Sequence, residues 1–471
     1  MNFKSCLYYL GLSFFPLSIM SLINIFYSLY FNNLINIKSY LIVLLVSLII
    51  GSLFYLIGKK FRESINIYEQ FFLIFLIYFF ISIFISIPFY LSNYNLSLIN
   101  SFFEATSGLT GTGFSILNTI SDFDEPLTLW RSSSQWLGGL YFLVFLILIF
   151  SNKQVNFKML DLTFNLEKKI NFSSNLLIVS NRIFLIYLSL TIVIFFLFVI
   201  SGLRIFDSLN LTMSLISSGG FLPVENLSEI ILNNFQLIIF CIGLAVPILN
   251  FYFFYNLILN RENIKFHLED LYLVMVIFSF FVIFYFINDL DLLFVMINVL
   301  SSLGNSGISI GTIPENFGLY FLILTMIGGS VLSVTSGLKL MRIYILLKAF
   351  LIEIYRLVKP NVILNTKIMF SAYKINNENI KVSFLIFILF FFSLFILSSV
   401  LLFDILNFEN SFKLSILTLT NTNVSNIFGM QEIQFQDLFT FSKISLIIFM
   451  IIAKVELLTI FILIRKFFLK D

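Results

Sequence analysis

Leu109-Thr110-Gly111-Thr112-Gly113-Phe114-Ser115 is the first of four similar stretches that decide the fold of this chain. The other three are Ile216-Ser217-Ser218-Gly219-Gly220-Phe221-Leu222, Leu303-Gly304-Asn305-Ser306-Gly307-Ile308-Ser309 and Leu419-Thr420-Asn421-Thr422-Asn423-Val424-Ser425. In each stretch an apolar residue precedes three small or polar residues, then Gly or Asn, and then a second apolar residue. We number their centres in chain order as cluster 1 (110–113), cluster 2 (217–220), cluster 3 (304–307) and cluster 4 (420–423).

A short apolar run precedes every cluster. These runs begin near Leu98, Phe206, Leu292 and Phe412 and are about a dozen residues long. A membrane helix needs about 20 apolar residues, so the runs are too short to cross a bilayer. Non-helical backbone is tolerated at membrane depth only where it lines a cavity or is buried in protein. We therefore predict four re-entrant pore loops, at 98–115, 206–222, 292–309 and 412–425.

The composition of the chain is that of a membrane protein. Of its 471 residues, 59% are hydrophobic and only 11% are charged, whereas a soluble domain carries about 25% charged residues. Phe alone occurs 63 times, more apolar surface than a soluble core could hide. The net charge of +3 is too small to indicate a nucleic-acid partner.

Longer apolar segments are candidates for membrane-spanning helices. There are ten: 7–31, 38–58, 68–92, 127–151, 174–201, 231–259, 269–288, 316–358, 382–405 and 440–468. Ten crossings put both termini on one side, and the excess of Lys and Arg on that side predicts that it is cytoplasmic. The segment 316–358 is too long for one plain crossing, and its Gly328, Gly329 and Gly337 predict a break. No small-residue cleavage site follows the first apolar run, so we expect a retained helix there.

The predicted fold is an all-α integral membrane protein with four pseudo-repeats around a central pore. Each repeat consists of a helix, a re-entrant pore loop and a second helix. The repeats are predicted at 63–155, 156–262, 263–360 and 361–471, and the two extra helices at 1–62. The break within 316–358 falls in the second helix of the third repeat.

The residue types of the clusters suit a cation filter. A cation that sheds its water needs oxygen ligands in exchange, and backbone carbonyls can supply them. Such carbonyls can share one direction only if the backbone adopts unusual dihedral angles, which Gly adopts freely and Asn tolerates. The other interpretation is that small residues mark close helix packing. Four clusters in register, each after a short run, favour the filter.

At these residues the chain resembles the Trk/Ktr/HKT superfamily of potassium transporters, most closely its Trk-type membrane subunit. The stretch Phe102-Phe103-Glu104-Ala105-Thr106-Ser107-Gly108-Leu109-Thr110 is similar to that family's first pore helix and filter. Further matches are Leu129-Trp130-Arg131, Gln135-Trp136-Leu137-Gly138-Gly139, Gly328-Gly329-Ser330 with Ser333, Gly337 and Lys339, Arg356-Leu357-Val358-Lys359-Pro360-Asn361, and Lys454-Val455-Glu456. The matches extend over nearly the whole chain.

The resemblance implies potassium uptake across the inner membrane of the cell. The cluster residues would bind potassium as substrate, the only metal expected, and the chain itself would bind no cofactor. An intramembrane loop at about 328–338, with Lys339, Lys454 and Glu456, would form a gate under the filter. The family also implies a homodimer in the lipid membrane and a cytosolic nucleotide-binding regulatory subunit. We expect that subunit to contact 153–170 and 356–381.

The chain departs from the family pattern at three positions. Asn423 replaces the usual fourth filter glycine, Leu332 stands at a usual glycine, and Gly111 stands where threonine is common. Gly113 favours potassium over sodium, because serine at the matching position of plant relatives goes with sodium transport.

Several charged residues call for partners. Lys339, Arg342, Lys454 and Glu456 lie within apolar spans, where each charge costs about 2.5–3.5 kcal/mol near the bilayer centre. We expect Lys454 and Glu456 each to pair with another helix, either as a structural clamp or as a control on ion passage. We expect Glu104 near a helix start or the pore mouth. Arg131 and Trp130 are expected to anchor the protein at the outer membrane boundary. The loop carboxylates Asp122, Asp124 and Glu125 are expected to be solvated.

Two other classes of function compete with a potassium pore. A sodium-conducting or cation-coupled secondary transporter would also use broken helices. A membrane enzyme would need clustered acid, base or metal groups, and the single histidine, His267, gives no such pattern.

Overall fold

The computed structural model describes residues 3–61, 65–117, 120, 123–151, 176–260, 268–287, 291–311, 317–359, 366–368, 374–404, 406–430, 433–457, 459, 463 and 466. Asp122, His267, Pro360, Asn361 and the predicted partner-contact segment 153–170 lie outside the described residues.

Sixteen α-helices make up most of the described chain. They are α1 (Phe3–Tyr30), α2 (Ile37–Gly58), α3 (Ile67–Leu91), α4 (Leu98–Thr110), α5 (Glu125–Ser151), α6 (Leu176–Ile200), α7 (Ile205–Ile216), α8 (Asn234–Ala245), α9 (Phe251–Tyr255), α10 (Leu268–Ile287), α11 (Leu292–Leu303), α12 (Gly318–Ile327), α13 (Leu340–Val358), α14 (Asn377–Leu401), α15 (Phe408–Leu419) and α16 (Thr440–Val455). The chain is thus all-α, as predicted.

Six of these helices are long and apolar enough to cross a membrane: α1, α2, α3, α6, α10 and α14. Every one of the ten predicted spans overlaps one or two helices of the structure. Exposed Leu, Ile and Phe side chains cover much of the outer surface, as expected where lipid rather than water is the solvent.

The two N-terminal helices pack through glycines. A Cβ atom added to Gly51 would lie 2.9 Å from Phe14 Cβ, and one added to Gly58 would lie 2.6 Å from the Cα of Tyr8. Small residues allow this close approach of backbones, which drives helix association in a membrane. The glycines therefore hold α1 and α2 together as a hairpin.

Four short helices, α4, α7, α11 and α15, each follow a long apolar helix. They contain 12 or 13 residues, or about 20 Å at 1.5 Å per residue, which is less than the thickness of a bilayer core. Each is buried along its C-terminal half. They bring the four clusters, which directly follow them, into the interior of the protein.

The helix predicted over 316–358 is broken, as its glycines indicate. Helix α12 ends at Ile327 and is followed by Gly328, whose φ is +66°, and α13 begins after Lys339, whose φ is +70°. Residues 328–338 between them, the predicted intramembrane loop, contain no helix.

The structure also breaks two predicted spans that we expected to be continuous. Within 231–259 the chain leaves α8 at Ala245, and Asn250 starts α9 by accepting a hydrogen bond from the N–H of Tyr252 at 3.0 Å. Pro247 has no N–H to continue a helix there. Within 440–468, α16 ends at Val455 because Glu456 has a φ of +70°.

Candidate functional site

Each short helix ends in the same turn at its cluster. The second cluster residue is left-handed in all four, with φ of +75° at Gly111, +60° at Ser218, +59° at Asn305 and +48° at Asn421. The third residue donates its N–H to the carbonyl five residues earlier: Thr112 to Ser107 (3.0 Å), Gly219 to Ser214 (2.8 Å), Ser306 to Ser301 (3.0 Å) and Thr422 to Leu417 (2.9 Å). This pairing is typical of a helix that ends in a left-handed residue. The four clusters are therefore equivalent in backbone geometry as well as in sequence.

The fourth cluster residue divides the clusters into two kinds. Gly113 and Gly307 are left-handed, with φ of +81° and +67°, but Gly220 and Asn423 are not. Asn423 therefore stands at a position where glycine's conformational freedom is not used. The presence of asparagine instead of the usual glycine therefore causes no backbone strain at this fourth position.

Hydrogen bonds join three of the four pairs of neighbouring clusters. Ser218 donates to the carbonyl of Gly304, linking clusters 2 and 3. Asn305 Nδ2 donates to Thr422 Oγ1 at 3.1 Å, linking clusters 3 and 4. Asn421 Nδ2 donates to Thr112 Oγ1 at 2.9 Å, linking clusters 4 and 1. The order around the ring is thus 1-2-3-4.

Clusters 1 and 2 are also neighbours, but the second residue of cluster 1 has no side chain that could donate a hydrogen bond to cluster 2. That residue is Gly111, and a Cβ atom there would lie 3.6 Å from the carbonyl oxygen of Ser217. The same Cβ would lie 3.7 Å from Lys454 Nζ, which places the ammonium beside cluster 1.

The ring leaves many buried carbonyl groups without a hydrogen-bond donor. No described residue donates to the carbonyl oxygens of the second and third residues of any cluster. The residues that carry them are buried, and an unpaired buried carbonyl costs free energy comparable to a lost hydrogen bond. The hydroxyls of clusters 1 and 4 pair instead within each cluster, Thr110 with Thr112 at 2.7 Å and Thr420 with Thr422 at 2.8 Å. In clusters 1 and 4, backbone oxygens rather than threonine hydroxyls are therefore the oxygens to which no described residue donates a hydrogen bond.

A buried ion pair supports the segment after cluster 1. Arg131 Nε contacts Glu104 Oε1 at 2.9 Å, and the two side chains are 2% and 0% exposed. Glu104 also accepts from the N–H of Ile116 at 2.9 Å, and Arg131 donates to Ser115 Oγ at 3.0 Å. The guanidinium carbon of Arg131 lies 4.1 Å from the ring centre of Phe221, which follows cluster 2. Glu104 is the seventh residue of α4, so the prediction of a helix-start role for it is wrong. The prediction of boundary anchoring for Arg131 and Trp130 is also wrong, because both side chains are buried in the core.

The loop carboxylates are not simply solvated. Asp124 is 8% exposed and accepts hydrogen bonds from Asn36 (2.7 Å) and Tyr94 (3.0 Å). Burial raises the pKa of Asp124 above its ordinary value. Glu125 pairs with Arg204 at 2.8 Å on the surface. Asp124 therefore fastens the N-terminal hairpin to the start of α5, which contradicts its prediction as a free loop charge.

The intramembrane loop is bonded to the break between α8 and α9. The N–H of Ser330 donates to Ile248 O at 3.0 Å, and the N–H of Phe251 donates to Leu332 O at 2.8 Å. The N–H of Val331 donates to Glu269 Oε1 at 2.8 Å. Two irregular segments thus satisfy each other's backbone, as irregular backbone at membrane depth requires.

Glu269 was not singled out from the sequence, although one signal was available. It is one of two adjacent carboxylates at the start of an apolar span, and it is 3% exposed. A carboxylate buried this deeply requires hydrogen-bond donors, and the backbone of the intramembrane loop supplies one of them.

The predicted gate residues lie together around this loop. Lys339 Nζ donates to Ser333 Oγ at 3.0 Å and to the carbonyl of Thr335. Lys454 Nζ donates to Val334 O at 3.2 Å. The partner of Lys454 is therefore the loop, and the prediction of a partner on another helix is wrong for it.

Glu456 does pair with another helix, as predicted. Its Oε1 contacts Arg342 Nη2, on α13, at 3.1 Å. A further contact joins the loop to the ring itself, because Ser336 Oγ donates to Asn421 Oδ1 at 3.0 Å. The structure thus brings the intramembrane loop, the Lys339 and Lys454 ammoniums and the ring of clusters into contact, with Glu456 at the edge of the group.

Comparison with known proteins places the chain among cation transporters. No family model matches it. An uncharacterized cation transporter of Methanocaldococcus jannaschii is 25% identical over 364 residues, which is 73% of this chain and 75% of that protein. The Trk system potassium uptake protein TrkH of Halomonas elongata is 24% identical over 349 residues, 70% of this chain and 72% of the relative. TrkG of Escherichia coli is 23% identical over 438 residues, 87% of each chain.

The fold has a counterpart among solved structures. The crystal structure of the potassium transporter TrkH from Vibrio parahaemolyticus superposes with a TM-score of 0.85 at 19% identity and covers 98% of each chain. The relatives named here are transporters, not enzymes. The sequence matches, together with this shared architecture, show that the chain is similar to the TrkH-type potassium uptake proteins of the Trk system.

Proposed function

We propose that this protein takes up potassium ions across the cell inner membrane, with the ring of four clusters as its selectivity filter. The observation that carries the proposal is the set of buried backbone carbonyls in the ring to which no described residue donates a hydrogen bond. The relatives named as potassium uptake proteins support the choice of ion.

The buried carbonyl oxygens of the ring require a partner that can replace a hydrogen-bond donor. A dehydrated cation needs several oxygen ligands, and rings of backbone carbonyls are the ligands that potassium filters use. The C-termini of α4, α7, α11 and α15 all lie at the ring, and the C-terminal end of a helix carries partial negative charge. Both features lower the free energy of a cation at the ring.

The wider organisation is also part of the proposal. The repeats are assigned to 63–155, 156–262, 263–360 and 361–471, with both termini cytoplasmic. We assign a homodimer and a cytosolic nucleotide-binding subunit by analogy with the family, and we place contact with that subunit at 153–170 and 356–381. The filter would then open towards the outside.

We assign the gate to the intramembrane loop. The loop contacts cluster 4 through Ser336, and the ammonium of Lys454 lies beside cluster 1 while donating to Val334 O. A fixed positive charge next to a cation path raises the barrier to passage. Movement of the loop would displace the ammonium of Lys454, which is bonded to it, and would thereby lower the barrier to cation passage.

Replacing Lys339 with methionine is expected to increase potassium uptake several-fold. The ammonium of Lys339 binds the loop at Ser333 and Thr335, and methionine keeps most of the apolar stem but removes those bonds and the charge. Rubidium tracer uptake per assembled protein measures the effect. Lys38→Met, at an exposed position near the start of α2, is the control and should leave uptake unchanged. Equal uptake in the two variants would exclude Lys339 from the gate.

Uptake in cells that lack their own potassium uptake systems tests the function itself. The protein should restore growth at low external potassium and should accumulate rubidium. Growth rescue that requires a sodium gradient would favour a cation-coupled secondary transporter, and sodium accumulation without potassium would favour a sodium-conducting protein. No rescue by assembled protein would contradict the proposal.

A further inference from the structure

The side chain of Asn423 crosses the ring of clusters. Its Nδ2 donates to the carbonyl oxygen of Gly220 at 3.0 Å. Cluster 2 bonds to cluster 3, cluster 3 to cluster 4, and cluster 4 to cluster 1. Clusters 2 and 4 are therefore opposite each other, and the bond from Asn423 to Gly220 spans the centre of the ring.

Asn423 also contacts the fourth residues of the other two clusters. A Cβ atom on Gly113 would lie 3.0 Å from Asn423 Cβ, and one on Gly307 would lie 2.8 Å from the backbone nitrogen of Asn423. A Cβ on Gly220 would contact Asn423 Cβ directly. Gly113 and Gly220 thus leave a space at this end of the ring that the Asn423 side chain occupies, and Gly307 makes room for the backbone of Asn423.

The chemistry of the contact fixes the direction of the amide. With the amide reversed, Oδ1 would face the carbonyl oxygen of Gly220, and two acceptors repel each other. Asn423 does not use a left-handed backbone, so the turn of cluster 4 does not require an asparagine. The side chain therefore acts on the space and on the Gly220 carbonyl, rather than on the fold of its own cluster.

From these contacts we propose that Asn423 determines which cations the protein accepts, by occupying the outermost cation position of the ring. The inference rests on the proposed filter function. The amide removes the Gly220 carbonyl from the ligands available to a cation, and a cation enters only when the amide turns away. When its amide group has turned through half a rotation, Asn423 presents Oδ1 to the ring as a ligand. The cation position is then narrower than one formed by four glycines.

This narrowing discriminates by size. A small cation fits beside the displaced side chain, whereas a larger one contacts it. The fourth residue is the one farthest along the chain from the short helix, so in the proposed topology the restriction acts first on ions arriving from outside. Cesium should be excluded more strongly than rubidium, and rubidium more strongly than potassium.

The test compares potassium, rubidium and cesium uptake by the full-length protein and its Asn423→Gly variant. The ratio of cesium to potassium uptake should rise by about tenfold in Asn423→Gly, since one or two side-chain atoms in a tight site discriminate by that order. Asn426→Ala is the matched control, because Asn426 is exposed and lies three residues further along the same segment. Its ratio should equal that of the unchanged protein.

A second variant covers the case in which Asn423→Gly does not assemble. Asn423→Asp keeps the size of the side chain but places a carboxylate oxygen opposite the Gly220 carbonyl, which breaks the cross-ring bond. It should raise potassium uptake at low external potassium without admitting cesium. An unchanged cesium ratio in assembled Asn423→Gly, or unchanged low-potassium uptake in Asn423→Asp, would overturn the inference. Absence of potassium uptake by the unchanged protein would instead overturn the filter function.

Discussion

Replacing Gly113 with valine is expected to lower potassium uptake by about a hundredfold, the combined effect of left-handed strain of about 1–2 kcal/mol and overpacking of about 1–3 kcal/mol. Gly113 has a φ of +81°, and a Cβ atom there would lie 3.0 Å from both Asn423 Cβ and the Cα of Gly220. A β-branched side chain would therefore displace the fourth residues of clusters 2 and 4 together. Rubidium uptake, normalised to assembled protein, is the measurement.

The chain contains a matched control for this substitution. Gly202 is also left-handed, with a φ of +90°, but a Cβ atom there would meet nothing within 4 Å. Gly202→Val introduces the same backbone strain in an open turn away from the ring. It should retain most of the uptake, so a similar loss in both variants would show that strain alone, and not the ring, explains the effect.

Replacing Glu104 with alanine is expected to destabilise the protein by about 3–5 kcal/mol, the usual cost of removing one partner of a buried ion pair. The change leaves the buried guanidinium of Arg131 without its carboxylate and the N–H of Ile116 without its acceptor. The segment after cluster 1 should loosen as a result. A large fall in the midpoint of thermal unfolding in detergent would report it.

A surface ion pair in the same chain provides the comparison. Glu353 and Arg356 contact each other at 2.6 Å with side chains 64% and 52% exposed, and exposed pairs contribute about 0–1 kcal/mol. Glu353→Ala should shift the midpoint only slightly. Equal shifts for Glu104→Ala and Glu353→Ala would contradict the structural role assigned to Glu104.

The features predicted well from sequence are those written in local patterns. The short runs before the clusters, the break at Gly328 and the all-α class follow from length and residue type alone. The left-handed second residue was predictable at Gly111 and tolerable at Asn305 and Asn421, but Ser218 adopts it as well. Serine has no marked preference for that region, so its conformation follows from the turn that the three other clusters share.

The features missed from sequence depend on distance in space. Glu104 and Arg131 are 27 residues apart, and only the packing of α4 against α5 shows that they form a pair. The bond from Asn423 to Gly220 joins residues 203 apart, so the order of clusters around the ring was needed to interpret it. The break between α8 and α9 at 246–250 was not predicted, because the residues on both sides of it are apolar.

Ion current through purified protein in a planar bilayer, with potassium on one side and sodium on the other, tests the central claim most directly. We predict a reversal potential at which the sodium side is positive, because potassium carries the current towards that side, and loss of the current in Gly113→Val but not in Gly202→Val. A reversal potential of the opposite sign, or a current that Gly113→Val leaves unchanged, would contradict the assignment of the four clusters as a potassium filter.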